Sequence, residues 1–476
     1  MSETFSALKS SKRIRDAYRE YLLSAFDFSD SEIKNEFRHA LQERFEISKG
    51  PFVQATPPYL RSKSLRQLAA DGILSSELVK DPPIVPNIDR PLYEHQVQAI
   101  RKIAERRNVI VATGTGSGKT ESFLLPILDA LLREKEAGTL SSPGVRALLL
   151  YPMNALANDQ LARLRELLAK VPEVTFGRFT GDTGWDDESR SATEYVRRYG
   201  AEPLTNEMLS RERMRTTPPH VLVTNFAMLE YLLLLPEDTN FFDGPTGKHW
   251  KYIVLDEVHT YQGAKGGEIR MLLKRLRDRV VSSSRHRITF IGTSATIGSD
   301  DSDMPKLARF AEELFDEEVS FQVKQSESDI IRPYYEPQTD FQSNFELSVK
   351  EIQDIYELVS AGDDAGLRQI LTTKNLSQFE SELSRQLLGQ FLAREASYQK
   401  LLHILEKGPA PVTELVQPID ALNGSEDALA QLIDLAKYAE TPGENYPLLS
   451  ARYHLFLRAL EGMFYCFNPD HPISEP

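Results

Sequence analysis

The sequence predicts an α/β fold in which a doubly wound parallel sheet is flanked in the chain by helical segments. Short aliphatic runs alternate with longer amphipathic stretches from residue 109 to residue 291, which is the pattern of strands joined by helices. These runs are apolar at nearly every position, as expected for strands that are covered on both faces. The composition of 476 residues, with 41% hydrophobic and 26% charged side chains, excludes a disordered or collagen-like polymer.

The elements follow one another in a simple order. Amphipathic helices are expected over 4–47, a short helix over 64–71, and proline-containing breaks over 50–58 and 81–91. The later strands are expected at 109–112, 147–150, 174–179, 220–224, 252–255, 288–291 and 319–323, and the helices at 118–135, 154–169, 226–235, 266–281 and 304–314. We therefore expect three domains: a helical N-terminal domain with a linker (1–90), the sheet domain (91–325) and a mostly helical, acidic domain (326–476).

Charge is distributed unevenly along the chain. The formal net charge is −14, but residues 297–476 alone hold 14 basic and 32 acidic side chains. Residues 91–296 hold 28 basic and 25 acidic side chains. Since a polyanion responds to charges within roughly 10 Å, the middle segment can bind phosphates in spite of the acidic C-terminal segment.

The sequence favours a cytoplasmic protein without a membrane segment. No apolar run approaches the roughly 20 residues that span a bilayer, and the N-terminus is polar, unlike a secretory signal. The single cysteine, Cys466, excludes an intrachain disulfide framework and fits a reducing compartment.

A glycine-rich segment connects the first aliphatic run to the following helix. It consists of Thr113, Gly114, Thr115, Gly116, Ser117, Gly118, Lys119 and Thr120. In this position glycines let backbone N–H groups surround phosphate oxygens, while Lys119 reaches the β- and γ-phosphates and the Thr120 hydroxyl ligates Mg²⁺. The strict pattern has glycine where Thr113 stands, and a glycine-rich turn that binds nothing is the alternative.

An acidic pair ends the aliphatic run at 252–255. Asp256 would hold the Mg²⁺ shell, and Glu257 would orient or deprotonate the water that attacks the γ-phosphate. Such a pair also arises by chance at strand ends, but downstream of a phosphate loop it favours ATP and Mg²⁺ as cofactors. His259 could instead ligate a metal, although no partner His or Cys stands at metal-binding spacing.

Seven segments together resemble the DEAD/DEAH-box helicases of superfamily two. In family order they are Tyr93–Gln96 (the adenine-reading Gln motif), 113–120 (motif I), Tyr151–Ala157 with Gln160 (motif Ia), Thr180–Asp182 (Ib), Val223–Asn225 (Ic), Asp256–His259 (II) and Thr293–Thr296 (III). The resemblance implies a RecA-like lobe that acts as an ATP-dependent helicase or ATPase.

The resemblance also implies residue roles. Gln96 would read the adenine edge with Tyr93 stacked beside it, and Ser294 and Thr296 would couple hydrolysis to movement. Lys119, Asp256, Glu257 and His259 would be the catalytic residues. A nucleic-acid strand would be held through its backbone by Pro152, Asn154, Gln160, Thr180, Gly181, Asp182, Thr224 and Asn225. Polar residues at strand ends are also ordinary turn formers, which is the alternative for this last group.

The family resemblance leaves one part of the motor unaccounted for. Family motors place ATP between two RecA-like lobes, and the second lobe supplies an arginine finger, normally in a QxxGRxGR-like segment. We find no such segment after residue 296. We therefore expect a second lobe in cis or in trans, and weak ATP hydrolysis by this chain alone, because arginine fingers contribute roughly 10³–10⁵ to kcat.

Flanking segments resemble a narrower group of large bacterial helicases. These segments are 50–59, DEVHTYQG at 256–263, and 452–456 leading to Cys466. The group serves phage-defence systems of the Druantia and DISARM kind, or DNA repair as in the MrfA-like helicases, so other defence or repair subunits are possible partners. In such relatives the counterpart of Cys466 opens a zinc cluster, whereas here it stands with His471 alone, and a buried apolar cysteine is the alternative.

A C-terminal helical segment and a group of basic residues each have two interpretations. The segment 401–415 with the helix over 428–439 could be helix–turn–helix or winged-helix material, but its acidity favours bundle packing or a protein-docking surface. A group of basic residues, Arg211, Arg213, Arg215, Lys265 and Arg270, could line a nucleic-acid channel or form a solvated helix face.

Three functional hypotheses follow. The first is a DNA helicase or translocase that acts on a single strand, or on a duplex with a single-stranded tail, in antiphage defence or repair. The second replaces DNA with RNA, which DEVH in place of DEAD and the flanking segments disfavour. The third is a nucleotide-binding regulatory subunit of a split motor, which the missing arginine segment motivates.

Overall fold

The computed structural model describes most of the chain, in two compact units. The described residues are 7–26, 28–43, 47–114, 116–185, 188–261, 263–284, 286–294, 304–315, 320–323, 328–336, 345–373, 384–406, 408–442 and 446–457. One unit comprises residues 59–336, and the other combines 1–58 with 337–476. This division differs from the expected boundaries at 90 and 325.

The helices and strands are as follows. The helices are α1 (Ala7–Ala25), α2 (Ser31–Glu43), α3 (Leu65–Ala70), α4 (Glu94–Ala104), α5 (Lys119–Glu136), α6 (Asn154–Leu168), α7 (Glu188–Tyr199), α8 (Arg211–Thr216), α9 (Phe226–Leu234), α10 (Gly263–Ser283), α11 (Met304–Phe315), α12 (Val349–Ala361), α13 (Asp364–Thr373), α14 (Ser384–Leu392), α15 (Ala396–Leu405), α16 (Val412–Val416) and α17 (Glu426–Tyr438). The strands are β1 (Ser48–Ala55), β2 (Arg61–Ser64), β3 (Pro91–Tyr93), β4 (Val109–Ala112), β5 (Ala147–Tyr151), β6 (Phe176–Phe179), β7 (Glu207–Met208), β8 (Val221–Asn225), β9 (Tyr252–Leu255), β10 (Thr289–Ser294), β11 (Ile330–Ile331), β12 (Ala410–Pro411) and β13 (Ala451–Leu457).

An eight-stranded parallel sheet forms the centre of the unit 59–336. Its strand order is β11-β4-β10-β9-β5-β8-β6-β7, and every ladder in it is parallel. Alternate residues of one strand point to opposite faces. In β4, Val109 and Val111 join one hydrophobic core while Ile110 joins another. Both faces are therefore covered, and the predicted RecA-like α/β fold class is confirmed.

The edges of this sheet differ from the prediction. Residues 320–323 are not in a strand, and the edge strand is β11 instead, paired with β4. β11 is only two residues long and is followed by Pro333, which has no backbone N–H to donate to a ladder. At the other edge, the equally short β7 was not predicted.

Residues 59–90 belong with the sheet rather than with a separate N-terminal domain. Leu68, Leu78 and Ile88 are buried in the same hydrophobic core as the first face of the sheet. Burying these side chains stabilises the contact by roughly 1.5–3 kcal/mol each. The boundary therefore lies near residue 58 and not at 90.

The second unit joins two segments that are distant in the sequence. β1 pairs with both β12 and β13 in an antiparallel sheet, and helices α12 to α17 bury a core that includes Val53 of β1. The sequence predicted only helices and a break here, because Gly50-Pro51 interrupts the apolar pattern. The structure accommodates these two residues in a shift of register between Lys49 and Phe52.

Within the described part of the chain, no helix has the length and apolar character that crossing a bilayer requires.

Candidate nucleotide and nucleic-acid site

The glycine-rich loop leaves β4 and enters the N-terminus of α5, as predicted. Gly116 and Gly118 both have φ of +75°, in the left-handed region that side chains disfavour. A Cβ on Gly118 would collide with the Gln96 amide. The hydroxyls of Thr113 and Ser117 share a hydrogen bond of 2.6 Å across the loop. Thr115 lies outside the described residues.

The loop lysine lies beside the second acidic residue. Lys119 Nζ is 3.6 Å from Glu257 Oε1, and the two side chains are 11% and 20% exposed. β4 and β9 flank β10 in the sheet, so their carboxyl ends bring the two residues together. Within the described part of the chain, neither Lys119 Nζ nor Glu257 Oε2 has a hydrogen-bond partner. Unsatisfied buried polar groups are costly, and their presence here fits a site built to receive a polar ligand.

Asp256 and Glu257 are fixed by the neighbouring strand β10. Thr293 Oγ1 donates a hydrogen bond to Asp256 Oδ1 and accepts one of 3.2 Å from the backbone N–H of Glu257. Glu257 has φ of +51°, an uncommon conformation for a residue with a side chain. Burial raises the pKa of the Asp256 carboxyl, the negative charge of Glu257 adds to that rise, and the hydrogen bond from Thr293 opposes it.

His259 connects the acidic motif with the end of β10. Its Nδ1 is 3.2 Å from Ser294 Oγ and 3.2 Å from Glu257 Oε2. In the part of the chain that the structure describes, no group of three or more His, Cys, Asp or Glu residues is placed to hold a metal ion. His259 is thus positioned to link Glu257 to Ser294. Thr296, the second residue expected to couple hydrolysis to movement, lies outside the described residues.

The Gln motif packs directly under the glycine-rich loop. Gln96 Nε2 donates to the Gly118 carbonyl (3.1 Å), and Gln96 Oε1 accepts from the Tyr93 backbone N–H (2.8 Å). The adjacent His95 is fully buried, and its Nε2 is 2.8 Å from the carbonyl oxygen of Ser117. Burial lowers the pKa of His95, although the contact with Ser117 partly opposes this. An amide retains a second donor and a second lone pair, so Gln96 keeps hydrogen-bonding capacity for a ligand.

An aromatic cluster beside the loop was not predicted as part of the site. The ring of Tyr59 lies 5.1 Å from those of Tyr93 and His95 and stacks on Tyr335 at 5.5 Å. A Cβ on Gly114 would be 3.2 Å from the Tyr59 hydroxyl. Tyr59 belongs to the flanking segment 50–59, which resembles the large bacterial helicases. No local sequence pattern predicts that Tyr59 contacts the glycine-rich loop.

The residues present fit ATP and Mg²⁺. The Lys119 ammonium without a hydrogen bond in the described residues, the left-handed glycines and the start of a helix are what triphosphate oxygens require. The Thr120 hydroxyl and the Asp256 carboxylate are oxygen donors of the type that Mg²⁺ prefers.

The residues proposed to hold nucleic acid lie at or after the carboxyl ends of the three adjacent strands β5, β8 and β6. Asn225 Nδ2 donates to Asn154 Oδ1 (2.6 Å), and Asn225 also caps α9 by accepting from the Met228 N–H. Pro152 and Gln160 are partly exposed near the start of α6. Since β5 is also the neighbour of β9, both groups of residues lie at the carboxyl ends of the strands. The nucleic-acid residues and the nucleotide residues occupy adjacent halves of that end of the sheet.

The hydroxyls of two of these residues are turned inward. Thr224 is fully buried, and its Oγ1 donates to the Phe179 carbonyl (2.6 Å). Thr180 is also fully buried. Gly181 and Asp182 are exposed, and a Cβ on Gly181 would meet nothing within 4 Å. Any contact of this turn with a ligand would therefore involve Gly181 and Asp182 or the backbone, rather than the two threonine hydroxyls.

The basic residues that could line a channel are largely engaged within the protein. Arg211 is buried and donates to the carbonyls of Thr180 and Gly181. The other described arginines of the group form ion pairs: Arg213 with Glu188, Arg215 with Asp238, and Arg270 with Glu313. The side chain of Lys265 lies outside the described residues, as do Cys466 and His471.

Comparison with known proteins gives consistent matches. The family model of DEAD/DEAH box helicases matches residues 93–304. The Druantia protein DruE of Escherichia coli (strain UMEA 4076-1) is 26% identical over 96% of this chain and 30% of its own length. The uncharacterized ATP-dependent helicase YprA of Bacillus subtilis (strain 168) is 30% identical over 44% of this chain and 23% of its own length.

Among solved structures, the DUF1998 helicase MrfA bound to DNA is similar with a TM-score of 0.39 and 22% identity, over 71% of this chain and 42% of that one. The chain spans less than a third of the length of either curated relative. Residues 93–304 are a DEAD/DEAH box helicase domain.

Proposed function

We propose that the chain is the ATP-binding lobe of a DNA helicase or translocase that hydrolyses ATP in response to nucleic acid. The observation that carries this proposal is the pairing of Lys119 with Glu257 at 3.6 Å beside the glycine-rich loop, where within the described residues neither Lys119 Nζ nor Glu257 Oε2 has a hydrogen-bond partner. This pair adjoins the left-handed glycines and the start of α5, which together suit the binding of phosphate oxygens.

The loop and the acidic pair divide the work of binding. Backbone N–H groups at the start of α5 and the Lys119 ammonium would hold the triphosphate, and Gln96 and Tyr93 would contact the adenine. Thr120 and Asp256 would hold Mg²⁺, which when bound neutralises charge on the phosphate oxygens. Burial is the main cause of the raised pKa of Asp256, and a bound cation would favour its ionised form.

Hydrolysis would rest on Glu257. Its carboxylate would orient the attacking water or accept its proton. The left-handed backbone of Glu257, held through Thr293, aims the carboxylate toward Lys119. A change at the nucleotide would pass from Glu257 through His259 to Ser294, which supports a role for this serine in coupling hydrolysis to movement.

The second lobe remains part of the proposal. An arginine from another RecA-like lobe, in cis or in trans, would complete the site, so the chain alone would turn over ATP slowly. The regulatory-subunit alternative would bind ATP equally well but would not gain activity when a second lobe is supplied.

DNA is the proposed nucleic acid, and defence or repair the proposed setting. The extended likeness to the Druantia protein over 96% of the chain supports the defence setting, while the DEVH motif and the flanking segments favour DNA over RNA. Further Druantia-type or repair subunits are proposed partners on the same basis.

The test measures steady-state ATP hydrolysis by the chain, supplemented with the second lobe of a full-length relative. We expect stimulation by single-stranded DNA to exceed stimulation by RNA of the same sequence. The matched control is Glu257→Gln, which keeps the side-chain shape and should abolish turnover while leaving nucleotide binding intact. Stimulation by RNA alone would contradict the DNA assignment, and turnover unchanged in Glu257→Gln would contradict the catalytic one.

A further inference from the structure

An exposed tryptophan lies just beyond the exposed turn of Gly181 and Asp182. Trp185 is 59% exposed, whereas the other tryptophan of the chain, Trp250, is fully buried. Placing so much indole surface in water is unfavourable. Trp185 lies on the connection that follows β6. In this parallel sheet that connection starts at the carboxyl ends of the strands, where Asn154 and Asn225 also lie.

One face of the indole is covered by an arginine. The Arg211 guanidinium carbon is 4.2 Å from the centroid of the Trp185 ring, which is a cation–π stack. Arg211 is itself fixed by its hydrogen bonds to the carbonyls of Thr180 (2.9 Å) and Gly181 (3.3 Å). The Arg215 guanidinium carbon is also 5.9 Å from this centroid, and the 59% exposure of Trp185 leaves ring surface available for a further contact.

The backbone of Trp185 is held as firmly as its ring. The first N–H groups of α8 donate outward: Arg211 N–H to the Gly184 carbonyl (2.8 Å) and Glu212 N–H to the Trp185 carbonyl (3.1 Å). Gly184 also forms a bridge with Ser210. Since both backbone and ring are anchored, little conformational entropy remains to be lost when a ligand binds to the exposed ring surface.

The charge behind the ring favours an anionic aromatic ligand. Within the described residues, Arg211 forms hydrogen bonds to carbonyl groups and no ion pair with a carboxylate. Its positive charge therefore remains directly under the ring. A planar base attached to a phosphate backbone matches both the exposed ring surface and this charge.

We propose that Trp185 is a stacking platform for one base of the single-stranded DNA that this edge of the sheet binds. The inference rests on the proposed function, because it requires a strand at the turn of Gly181 and Asp182. It adds a base contact to a set of residues that otherwise offers only backbone contacts. Stacking tolerates every base, so the contact suits a motor that moves along any sequence.

The experiment uses the intrinsic fluorescence of the full chain. Because Trp250 is buried and donates its Nε1 proton to the Phe241 carbonyl (2.9 Å), a change on binding reports Trp185. We expect oligothymidylate to quench the emission and an abasic deoxyribose-phosphate oligomer of equal length to leave it unchanged. Binding of both oligomers is measured independently, by competition against a fluorescein-labelled strand.

Two variants separate stacking from structure. Trp185→Ala should weaken the binding of oligothymidylate by about tenfold and leave the binding of the abasic oligomer unchanged, while Trp185→Phe should retain most of the affinity. Strong DNA binding by wild type without quenching, or equal affinity of Trp185→Ala for oligothymidylate, would overturn the stacking role and leave the proposed function standing. No binding of either oligomer by wild type would overturn both. The quenching comparison needs only wild type, so it decides even if a variant fails to fold.

Discussion

At the scale of single residues, the candidate site depends on a few buried atoms that lack hydrogen bonds and on a few strained backbone positions. Lys119 Nζ and Glu257 Oε2 have no hydrogen-bond partner within the described residues, and Glu257 and Gly118 are left-handed. Both kinds of feature cost stability and are typical of sites where function outweighs it. Lys119, Glu257 and Gly118 therefore bring such unfavourable terms to the place where a triphosphate would bind.

The strain at Gly118 gives a direct prediction. Gly118→Ala places a methyl group against the Gln96 amide in addition to the left-handed strain, so we expect ATP affinity to fall more than about tenfold and stability to fall by about 1–2 kcal/mol. The matched control is Gly138→Ala, since Gly138 has φ of +70° with nothing within 4 Å of the added Cβ. It should lose similar stability without losing affinity. Equal nucleotide affinities in the two variants, measured by titration, would contradict the account of the loop.

Acid sensitivity of the sheet unit is expected from His220. Burial, with a contribution from the positive charge of Arg146, lowers the pKa of His220 to about 4, and its Nδ1 accepts the Thr175 N–H at 3.0 Å. Below pH ~6.5 the unfolded state binds a proton that the folded state excludes. The free energy of unfolding therefore decreases as the pH is lowered, and at pH 5 it is about 2 kcal/mol smaller than at neutral pH.

The control for this prediction is His220→Asn, which can accept the same hydrogen bond without titrating. Denaturant unfolding between pH 7 and pH 5 should show a shallower loss of stability in the variant by about the same amount. Parallel pH profiles for the two proteins would exclude His220 as the source.

The sequence predicts the positions of the glycine-rich loop and the acid pair, but it does not predict the side chains that pack around them. The loop at 113–120 and the acid pair at 256–257 depend on a strand, a turn and a helix that are contiguous, so their placement was predicted. Tyr59 and Tyr335 meet across 276 positions of the chain, and the burial of Thr180 depends on how the turn after β6 folds. Contacts of this kind have no local pattern.

At the scale of elements, the short edge strand β7 is held against α6 by hydrogen bonds and an ion pair of polar side chains. Arg165 of α6 makes a bidentate contact with Glu207 at distances of 2.7 and 2.9 Å. Asn206 Nδ2 lies within hydrogen-bond distance of the carbonyls of Leu168, Val171 and Val174. These carbonyls belong to the last residue of α6 and to the loop that leads to β6. The Asn206 amide therefore stabilises this loop.

Replacing this amide should destabilise the sheet unit. Asn206→Leu keeps the branched side-chain shape but removes the amide donor, while the carbonyls of Leu168 and Val171 still accept backbone N–H groups. We expect a loss of about 1–3 kcal/mol in the free energy of unfolding. Asn206→Asp, which has no donor either, should be at least as destabilising, and ATP binding should persist in both below their unfolding transition. A change under about 0.5 kcal/mol in Asn206→Leu would show that packing, and not donation, closes the connection.

Central strands were predictable and edge strands were not, for a physical reason. β4, β5 and β9 are buried on both faces and are apolar at every position. β7 and β11 contain two residues each, which is too few for a periodic pattern. β1 carries Gly50-Pro51 and an irregular register, so its pairing depends on β13, about 400 residues away.

At the scale of the whole molecule, the chain forms one unit from a continuous segment and another from its two ends. Residues 59–336 interrupt the unit that contains β1 and β13. That second unit therefore cannot complete its sheet until residues on both sides of the helicase domain are present.

Removal of β13 should affect the two units differently. A chain ending at residue 450 lacks the strand that pairs with β1, so we expect protease cleavage within residues 1–58 and 345–450 while 59–336 stays resistant and binds ATP. Limited proteolysis with mass spectrometry measures this. Equal resistance of the two ends with and without β13 would contradict the pairing.

The most direct test of the central claim is the equilibrium binding of a fluorescent ATP analogue with Mg²⁺ to the full chain and to two variants. We expect Lys119→Ala to weaken binding by at least about tenfold, because it removes the ammonium from the loop, and Glu257→Gln to bind at least as tightly as wild type. Undiminished binding by Lys119→Ala would contradict the claim that this loop and the acidic pair form the nucleotide site.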